Sequence, residues 1–193
     1  MALTASTMLP LGTKAPTFTL RDVRTNDAIS LEQFAAKEGL LVMFICSHCP
    51  FVKHVENELA RLGRDYQGKD IGIVAISSND PGVQPADAPD QLKAMAERLH
   101  FTFPYGFDET QEIAKSYTAA CTPDFFLFNK NRELVYRGQL DDSRPGNSQP
   151  NNGHSLRAAI DAVLERRPLS SDQKSSLGCN IKWRPGAEPA YAR

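Results

Sequence analysis

The chain has 193 residues, a formal net charge of −1 at neutral pH and a hydrophobic share of 41%. This length fits one domain with extensions, and the balanced charge argues against nucleic acid or an anionic membrane as a general partner. The sequence contains no apolar run long enough to span a membrane. Its first residues lack the basic start and apolar core of a secretory signal peptide, so we expect a cytoplasmic location.

The N-terminal segment carries only weak structural signals. We expect residues 1–13 to be a loose arm and residues 18–23 to contain a short strand. Ser30 can cap a short helix that Gly39 ends, because a short polar side chain satisfies the first amides and glycine tolerates the conformation of a helix end. This part of the chain indicates structure but no chemistry.

A buried strand meets an amphipathic helix between residues 40 and 64. Residues 40–45, LLVMFI, have no polar side chain, which predicts a strand buried on both faces. Beyond Pro50, apolar residues recur at helical spacing with charged residues between them, which predicts a helix over residues 50–64. The intervening residues read CSHC, so a C-x-x-C pair lies at the joint.

This joint favours an ionised sulfur. The first amides of a helix have no partner within the helix, and the helix dipole adds partial positive charge there. Both should stabilise a thiolate at Cys46, the form of cysteine that acts as a nucleophile. Pro50 suits an early helical position, where its missing N–H costs nothing, and a charged His48 would favour the thiolate further. We therefore predict that the pKa of Cys46 lies below that of an ordinary thiol.

Other interpretations of the same residues remain open. Cys46 and Cys49 can be half of a zinc site or small buried side chains, and His48 can be an ordinary surface residue. Four cysteines in 193 residues do not make a disulfide scaffold. A C-x-x-C pair after a buried strand and before a helix is typical of redox chemistry.

The rest of the chain predicts an α/β fold with a central mixed β-sheet flanked by helices. Residues 71–76 are a second apolar run, which predicts a right-handed parallel βαβ unit with the first strand and its helix. The remaining predicted elements are a loop at 78–90, a helix capped by Asp90, an extended segment at 103–107, a short helix capped by Asp108, a hairpin of strands 124–128 and 133–137, a polar loop at 139–153 and a helix at 154–165.

The order of elements, together with Cys121-Thr122-Pro123 before the hairpin, resembles the thioredoxin fold. More narrowly, the pieces ICSHCPFVKH, CTPDFFLF, YRGQLDDSRP and LGCNIKW are similar to a peroxiredoxin-like branch related to alkyl hydroperoxide reductase and thiol-specific antioxidant proteins. The resemblance implies a thioredoxin-like domain over residues 12–167, with an N-terminal extension before it. Residues 168–193 form a C-terminal tail, and we predict that its apolar segment docks on the domain.

The resemblance also implies roles for the residues that match its motifs. Cys46 would be the attacking thiol and Cys49 the resolving thiol. Pro123 would be a cis-proline facing them, and Thr122 would offer backbone hydrogen bonds to an incoming chain. A cis X-Pro bond is uncommon and usually marks a specific feature; from the residues alone, a trans proline at the start of a strand is the simpler prediction.

The sequence departs from true peroxiredoxins at two positions. Their peroxidatic cysteine has a threonine or serine three positions before it and a proline seven positions before it. If Cys49 took that role, those positions would be Cys46 and Val42. The hydroxyl that would orient a peroxide is missing, which favours dithiol chemistry over efficient peroxidase activity.

Three functions follow as candidates. The first is a thiol-disulfide oxidoreductase without a cofactor, acting on disulfide-containing proteins or small-molecule thiols and supplied by a reductant such as a thioredoxin or glutathione system. The second is a thiol peroxidase that forms a sulfenic acid at Cys46 or Cys49. The third is a non-enzymatic metal or cluster carrier, in which Cys46, Cys49, Cys121 and Cys179 gather as ligands.

Several residues near this site have open roles. In open α/β sheets, sites lie at the carboxyl ends of the parallel strands, so Asp141, Asp142 and Arg144 are either supporting groups of the site or a solvated loop. Cys121 is either a small buried thiol or an additional redox residue. Cys179 can be a further redox partner or ligand if the docked tail brings it to the same edge.

Overall fold

The computed structural model describes residues 3–192, whose centre is a seven-stranded mixed sheet in the order β3-β2-β6-β5-β4-β8-β9. No helix in this range has the length and apolar character needed to cross a membrane. The strands are β1 Leu3–Ala5, β2 Thr19–Asp22, β3 Ala28–Ser30, β4 Gly39–Phe44, β5 Ile71–Ser77, β6 Tyr105–Phe107, β7 Cys121–Thr122, β8 Asp124–Phe128, β9 Leu134–Gly138 and β10 Leu177–Asn180. The helices are α1 Pro50–Asp65, α2 Pro89–Arg98, α3 Glu112–Ser116 and α4 His154–Leu164.

Strand β4 is the middle of the core. All six of its residues are buried, and it pairs with β5 in parallel and with β8 in antiparallel orientation. Leu41 and Met43 face a cluster that contains the inner sides of α1, α2 and α4, while Val42 and Phe44 face a second cluster with α3. Burial on both faces explains why this strand has no polar side chain, and the β4–α1–β5 unit is parallel, as predicted.

Three details of the predicted elements are wrong in this part of the chain, and a fourth, at Asp108, follows. Residues 3–5 are not part of a loose arm, because they pair with β10 in a second, three-stranded sheet of order β1-β10-β7. Gly39 does not end the helix that Ser30 precedes, which is only a four-residue 3-10 turn; it is the first residue of β4. Asp90 is not the cap of α2, because Ala88 holds that place and Pro89 takes the first helical position.

Asp108 does not cap α3 in the predicted way either. Gln111 is the residue that precedes the helix. The Asp108 carboxylate instead accepts hydrogen bonds from the Ala114 amide at 3.0 Å and from the Ser78 hydroxyl at 2.8 Å. It therefore joins α3 to the end of β5, a long-range role that a local capping pattern cannot reveal.

The C-terminal tail is built into the fold through β10. Cys179 lies opposite Leu3 on one side and opposite Thr122 on the other, both in antiparallel register. Beyond β10, Ile181 and Trp183 are buried in the cluster on the far side of the main sheet. Residues 177–183 therefore close over the edge of the domain and contribute to its core.

A buried carboxyl group lies where the tail meets the main sheet. Asp124, the first residue of β8, is fully buried. Its Oδ1 accepts a hydrogen bond from the backbone amide of the next residue, Phe125, at 3.2 Å. The side chains of Ser6 and Ser176, which flank β1 and β10, act against burial and lower its pKa. Burial nevertheless raises the pKa of Asp124 to about 7, because charge is costly away from water.

This pKa predicts that stability falls as the pH rises toward neutrality. A carboxyl whose pKa is raised on folding, from about 3.9 to about 7, contributes most below about pH 4, and this contribution is lost as the pH rises through 7. Each pKa unit corresponds to about 1.4 kcal/mol. Asp124→Asn keeps the shape without the charge, so the free energy of unfolding in urea should depend less on pH in the variant than in the wild type.

The comparison is made on the difference between the two proteins, since other groups also titrate. If that difference stays constant between about pH 4 and pH 8, Asp124 does not change its protonation on folding in this range.

Candidate functional site

The C-x-x-C pair lies at the carboxyl end of β4, as the topology predicts. Cys49 is the residue that precedes α1, and Pro50 takes the first helical position. The Ile45 amide donates to the Ile76 carbonyl at 3.0 Å, and the Tyr105 hydroxyl donates to the Ile45 carbonyl at 3.2 Å. These bonds hold the backbone that carries Cys46, whose side chain, like that of Cys49, is 0% exposed.

Thr122 faces both sulfurs. The Thr122-Pro123 peptide bond is cis, as the resemblance implied. The Thr122 Oγ1 lies 3.2 Å from the Cys46 Sγ, and the Cys49 thiol can donate to the Thr122 carbonyl over 3.2 Å. One residue therefore contacts one sulfur with its side chain and the other with its backbone.

Asp87 is a site residue that the sequence analysis missed. Its carboxylate accepts the amides of Ser47 at 2.8 Å and His48 at 3.1 Å, and it lies 2.7 Å from the Asn79 Nδ2. The His48 Nδ1 lies 2.5 Å from Asp87 and 3.6 Å from the Cys46 Sγ. Burial opposes ionisation, yet the hydrogen bonds from His48 and Asn79 hold the pKa of Asp87 below its usual range.

Little in the sequence could have identified Asp87. It lies in the predicted loop 78–90, which the topology places at the active edge, but Asp80 and Asp90 lie in the same loop. Only the folded loop turns Asp87 inward, while Asp90 stays exposed. The position of the loop was predictable; the choice among its aspartates was not.

The two thiols of the pair have opposite pKa shifts. A hydrogen bond from Cys46 lowers the pKa of Cys49 to about 5 against the cost of burial, with help from the Cys179 thiol and the Val52 amide. Burial, Cys49 and the Asp87 charge raise the pKa of Cys46 well above its ordinary value. The prediction of a lowered pKa at Cys46 is therefore wrong: a carboxylate lies beside Cys46, and the donors surround Cys49.

The other two cysteines differ in their relation to the pair. Strand β10 brings Cys179 opposite Thr122, the residue whose carbonyl oxygen lies 3.2 Å from the Cys49 Sγ, and the Cys179 side chain lowers the pKa of Cys49. Cys121 lies on the same strand as Thr122, but successive side chains of a strand point to opposite faces, and the Cys121 thiol donates to the Pro123 carbonyl at 3.7 Å. The fold thus gathers Cys46, Cys49 and Cys179, and it does not gather all four cysteines as the carrier hypothesis requires.

The predicted supporting loop lies at this edge but binds mainly to itself and to α4. Asp141 accepts the amides of Asn152 at 2.8 Å and Gly153 at 2.7 Å, immediately before α4. The Arg144 guanidinium donates to the Gln139 Oε1 at 2.6 Å, and Lys174 lies 2.8 Å from Asp142. These contacts position the loop and do not touch either sulfur of the pair.

One group of side chains offers donor atoms for a metal ion. The Cys46 sulfur, a His48 ring nitrogen and an Asp87 carboxylate oxygen all lie within 4.8 Å of one another. In the present geometry the imidazole and the carboxylate hydrogen-bond to each other. A metal would have to replace that bond, so the arrangement suits proton transfer at Cys46 better than metal binding.

Comparison with known proteins places this chain in a family. A model of the AhpC/TSA family matches residues 11–137. The thiol-disulfide oxidoreductase ResA of Halalkalibacterium halodurans is 23% identical over 124 residues, which span 64% of this chain and 65% of that protein.

Solved structures show the same fold. A conserved protein of Geobacillus kaustophilus, described as uncharacterized, is 52% identical over 97% of this chain and 99% of its own, with a TM-score of 0.94. A hypothetical protein of Sinorhizobium meliloti 1021 is 44% identical over 95% of this chain and 100% of its own, with a TM-score of 0.93.

A more distant structure establishes the fold type. The thioredoxin domain of a thiol-disulfide oxidoreductase from Bacteroides vulgatus is 17% identical over 79% of this chain and 99% of its own, with a TM-score of 0.60. At that identity the likeness concerns the fold alone. Since the family model covers more than half of the chain, this protein belongs to the AhpC/TSA family, and its fold is thioredoxin-like.

Proposed function

We propose that the protein is a thiol-disulfide oxidoreductase in which Cys46 and Cys49 cycle between a dithiol and a disulfide. The observation that carries the proposal is the contact of both sulfurs with Thr122 at the start of α1: its Oγ1 lies 3.2 Å from the Cys46 Sγ and its carbonyl oxygen 3.2 Å from the Cys49 Sγ. Within this pair, the Cys46 side chain lowers the pKa of Cys49 to about 5. A thiol with such a pKa is ionised at neutral pH, and the thiolate is the reactive form. The named relative from Halalkalibacterium halodurans supports the same reaction class.

The pair shares one proton between its two sulfurs, and the site has partners for both positions of that proton. With the proton on Cys46, the thiolate lies on Cys49 and accepts the Val52 amide and the Cys179 thiol. With the proton on Cys49, that thiol donates to the Thr122 carbonyl at 3.2 Å, while the Thr122 hydroxyl, at 3.2 Å, can donate to a Cys46 thiolate. A proton shift between the sulfurs therefore makes Cys46 reactive.

We assign the first attack to Cys46, in the order that the resemblance implies. The His48 Nδ1 lies 3.6 Å from the Cys46 Sγ, and the His48 side chain reaches the surface with 10% of its area exposed. The Cys49 Sγ lies instead 3.2 Å from the carbonyl oxygen of Thr122, the residue that pairs with β10. The charge in the resting dithiol favours Cys49, so the attack depends on the proton shift described above.

The reaction balances without a cofactor. The Cys46 thiolate attacks one sulfur of a substrate disulfide, forms a mixed disulfide and releases one substrate thiolate. Cys49 then attacks Cys46, so the Cys46–Cys49 disulfide forms as the second substrate thiol leaves. Two electrons and two protons pass to the substrate, which we take to be a disulfide-containing protein or a small-molecule disulfide. An external thiol system, either a thioredoxin-class dithiol or two molecules of glutathione, takes up the disulfide and returns the enzyme to its dithiol state.

Removing either sulfur of the pair should abolish turnover but trap different products. With dithiothreitol as the electron donor, Cys46→Ser and Cys49→Ser should each lower the rate of disulfide reduction at least about tenfold, because the second displacement needs both sulfurs. Cys49→Ser should accumulate a mixed disulfide on Cys46, detected by intact mass, while Cys46→Ser should not. Cys121→Ser is the matched control and should keep its rate.

Two results would change the assignment. A mixed disulfide that accumulates on Cys46→Ser and not on Cys49→Ser would give the first attack to Cys49. Consumption of hydrogen peroxide faster than disulfide reduction, through a sulfenic acid on the pair, would favour the peroxidase instead.

Asp87 should hold back ionisation at Cys46. After burial and the Cys49 partner, its negative charge is a cause of the raised pKa. Removing that charge favours the thiolate, so Asp87→Asn should shift the pH profile of Cys46 alkylation to lower pH. The Cys49→Ser background isolates the effect, since Cys46 is then the only sulfur of the pair. A midpoint that stays in place or moves to higher pH would contradict the role of Asp87.

A further inference from the structure

The C-terminal strand occupies the edge of the segment that holds the cis-proline. Strand β10 pairs with β7, and Cys179 and Asn180 lie opposite Thr122 and Cys121. The strand lies so close that a Cβ atom added to Gly178 would come 2.0 Å from the Thr122 carbonyl oxygen. Only glycine allows this approach, so position 178 is suited to seating the tail against Thr122.

This seating brings a third thiol to the pair. Cys179 lies opposite Thr122, whose carbonyl oxygen is 3.2 Å from the Cys49 Sγ. The side chains of Cys46 and Cys179 both lower the pKa of Cys49. Helix α1 packs directly on β10, and all three cysteines are buried in the same cluster. Cys49 is thus the central sulfur of three, with a possible disulfide partner on each side.

We propose that Cys179 is a third redox-active thiol, which exchanges disulfides with Cys49 and so makes β10 a built-in disulfide partner of the active pair. This inference rests on the proposed function, because the disulfide it uses is formed there. The thiolate of Cys179 attacks Cys49 of the Cys46–Cys49 disulfide; the new bond joins Cys49 and Cys179, and Cys46 leaves as a thiolate that takes up the proton. One disulfide replaces another, so no further oxidant is needed.

The charges around Cys179 suit a thiol that acts only after the pair is oxidised. In the dithiol state, burial and the Cys49 charge raise the pKa of Cys179 to about 12, so Cys179 stays protonated and donates to Cys49. Oxidation of the pair removes the Cys49 charge, while Lys182, which favours the Cys179 thiolate, stays in place. The exchange would also tie the tail covalently to the start of α1.

The Cys46→Ser variant tests the exchange in the full chain. Oxidised glutathione should first form a mixed disulfide with Cys49, which Cys179 then displaces, releasing glutathione and leaving a Cys49–Cys179 disulfide. Trypsin separates the cysteines into three peptides, with Cys49 in 38–53, Cys121 in 116–130 and Cys179 in 175–182. Non-reducing peptide mass mapping should show 38–53 joined to 175–182 in most of the protein.

Two double variants make the result specific. Cys46→Ser with Cys179→Ser should keep glutathione on Cys49, whereas Cys46→Ser with Cys121→Ser should keep the cross-link. Stable glutathione on Cys49 in the single variant, or a cross-link to 116–130, would overturn the inference. The proposed function fails separately, if the wild type forms no Cys46–Cys49 disulfide and reduces no substrate.

A substitution at Gly178 tests whether the close approach of β10 to Thr122 is needed. Gly178→Ala should push the strand away from Thr122, lower the yield of the cross-link in the Cys46→Ser background and speed the alkylation of Cys49. Gly82→Ala is the control, since an added Cβ there meets its nearest atom, in Asp80, at an ordinary 3.4 Å. If Gly178→Ala behaves like Gly82→Ala in both measurements, β10 does not present Cys179 to Cys49.

Discussion

The close approach of three chain segments at Thr122 is the constraint on which the site depends. Its hydroxyl faces Cys46, its carbonyl faces Cys49, and its backbone pairs with β10. The missing side chain at Gly178 leaves room for β10 against the Thr122 carbonyl. The same residue therefore links the chemistry of the pair to the docking of the C-terminal tail.

Burial of the whole arrangement sets the balance of charge. Five hydrogen bonds reach the buried Asp87 carboxylate, from the amides of Ser47 and His48, the Ser47 hydroxyl, the His48 ring and the Asn79 side chain, and they favour its ionised form. Its charge opposes a second negative charge at Cys46, and the donors around Cys49 favour one there. Since the interior screens charges poorly, these two opposite pKa shifts favour one negative charge on the pair over two.

The sequence was informative where a local pattern has a single physical cause. An unbroken apolar run means burial on both faces, and β4 is fully buried; helical periodicity after Pro50 means an amphipathic helix, and α1 covers residues 50–65. It was misleading where partners are distant in the chain. Residues 3–5 look unstructured in the sequence because their pairing partner, β10, lies near the other end of the chain. Asp108 looks like a simple helix cap because the sequence around it does not reveal that its carboxylate bonds both to Ser78, after β5, and to Ala114 in α3.

By itself, the sequence determined the α/β fold, the place of Cys46 and Cys49 at the joint of a buried strand and a helix, and the edge of the sheet where they lie. These follow from hydrophobic periodicity and from the geometry of helix ends, which act over a few residues. Only the tertiary structure decided that Asp87 turns inward, that Cys179 and not Cys121 reaches the pair, and that the lowered pKa belongs to Cys49. The physical reason is that the energy of a buried charge depends on every group that surrounds it, and here those groups come from the loop after β5, from β7 and from the C-terminal strand.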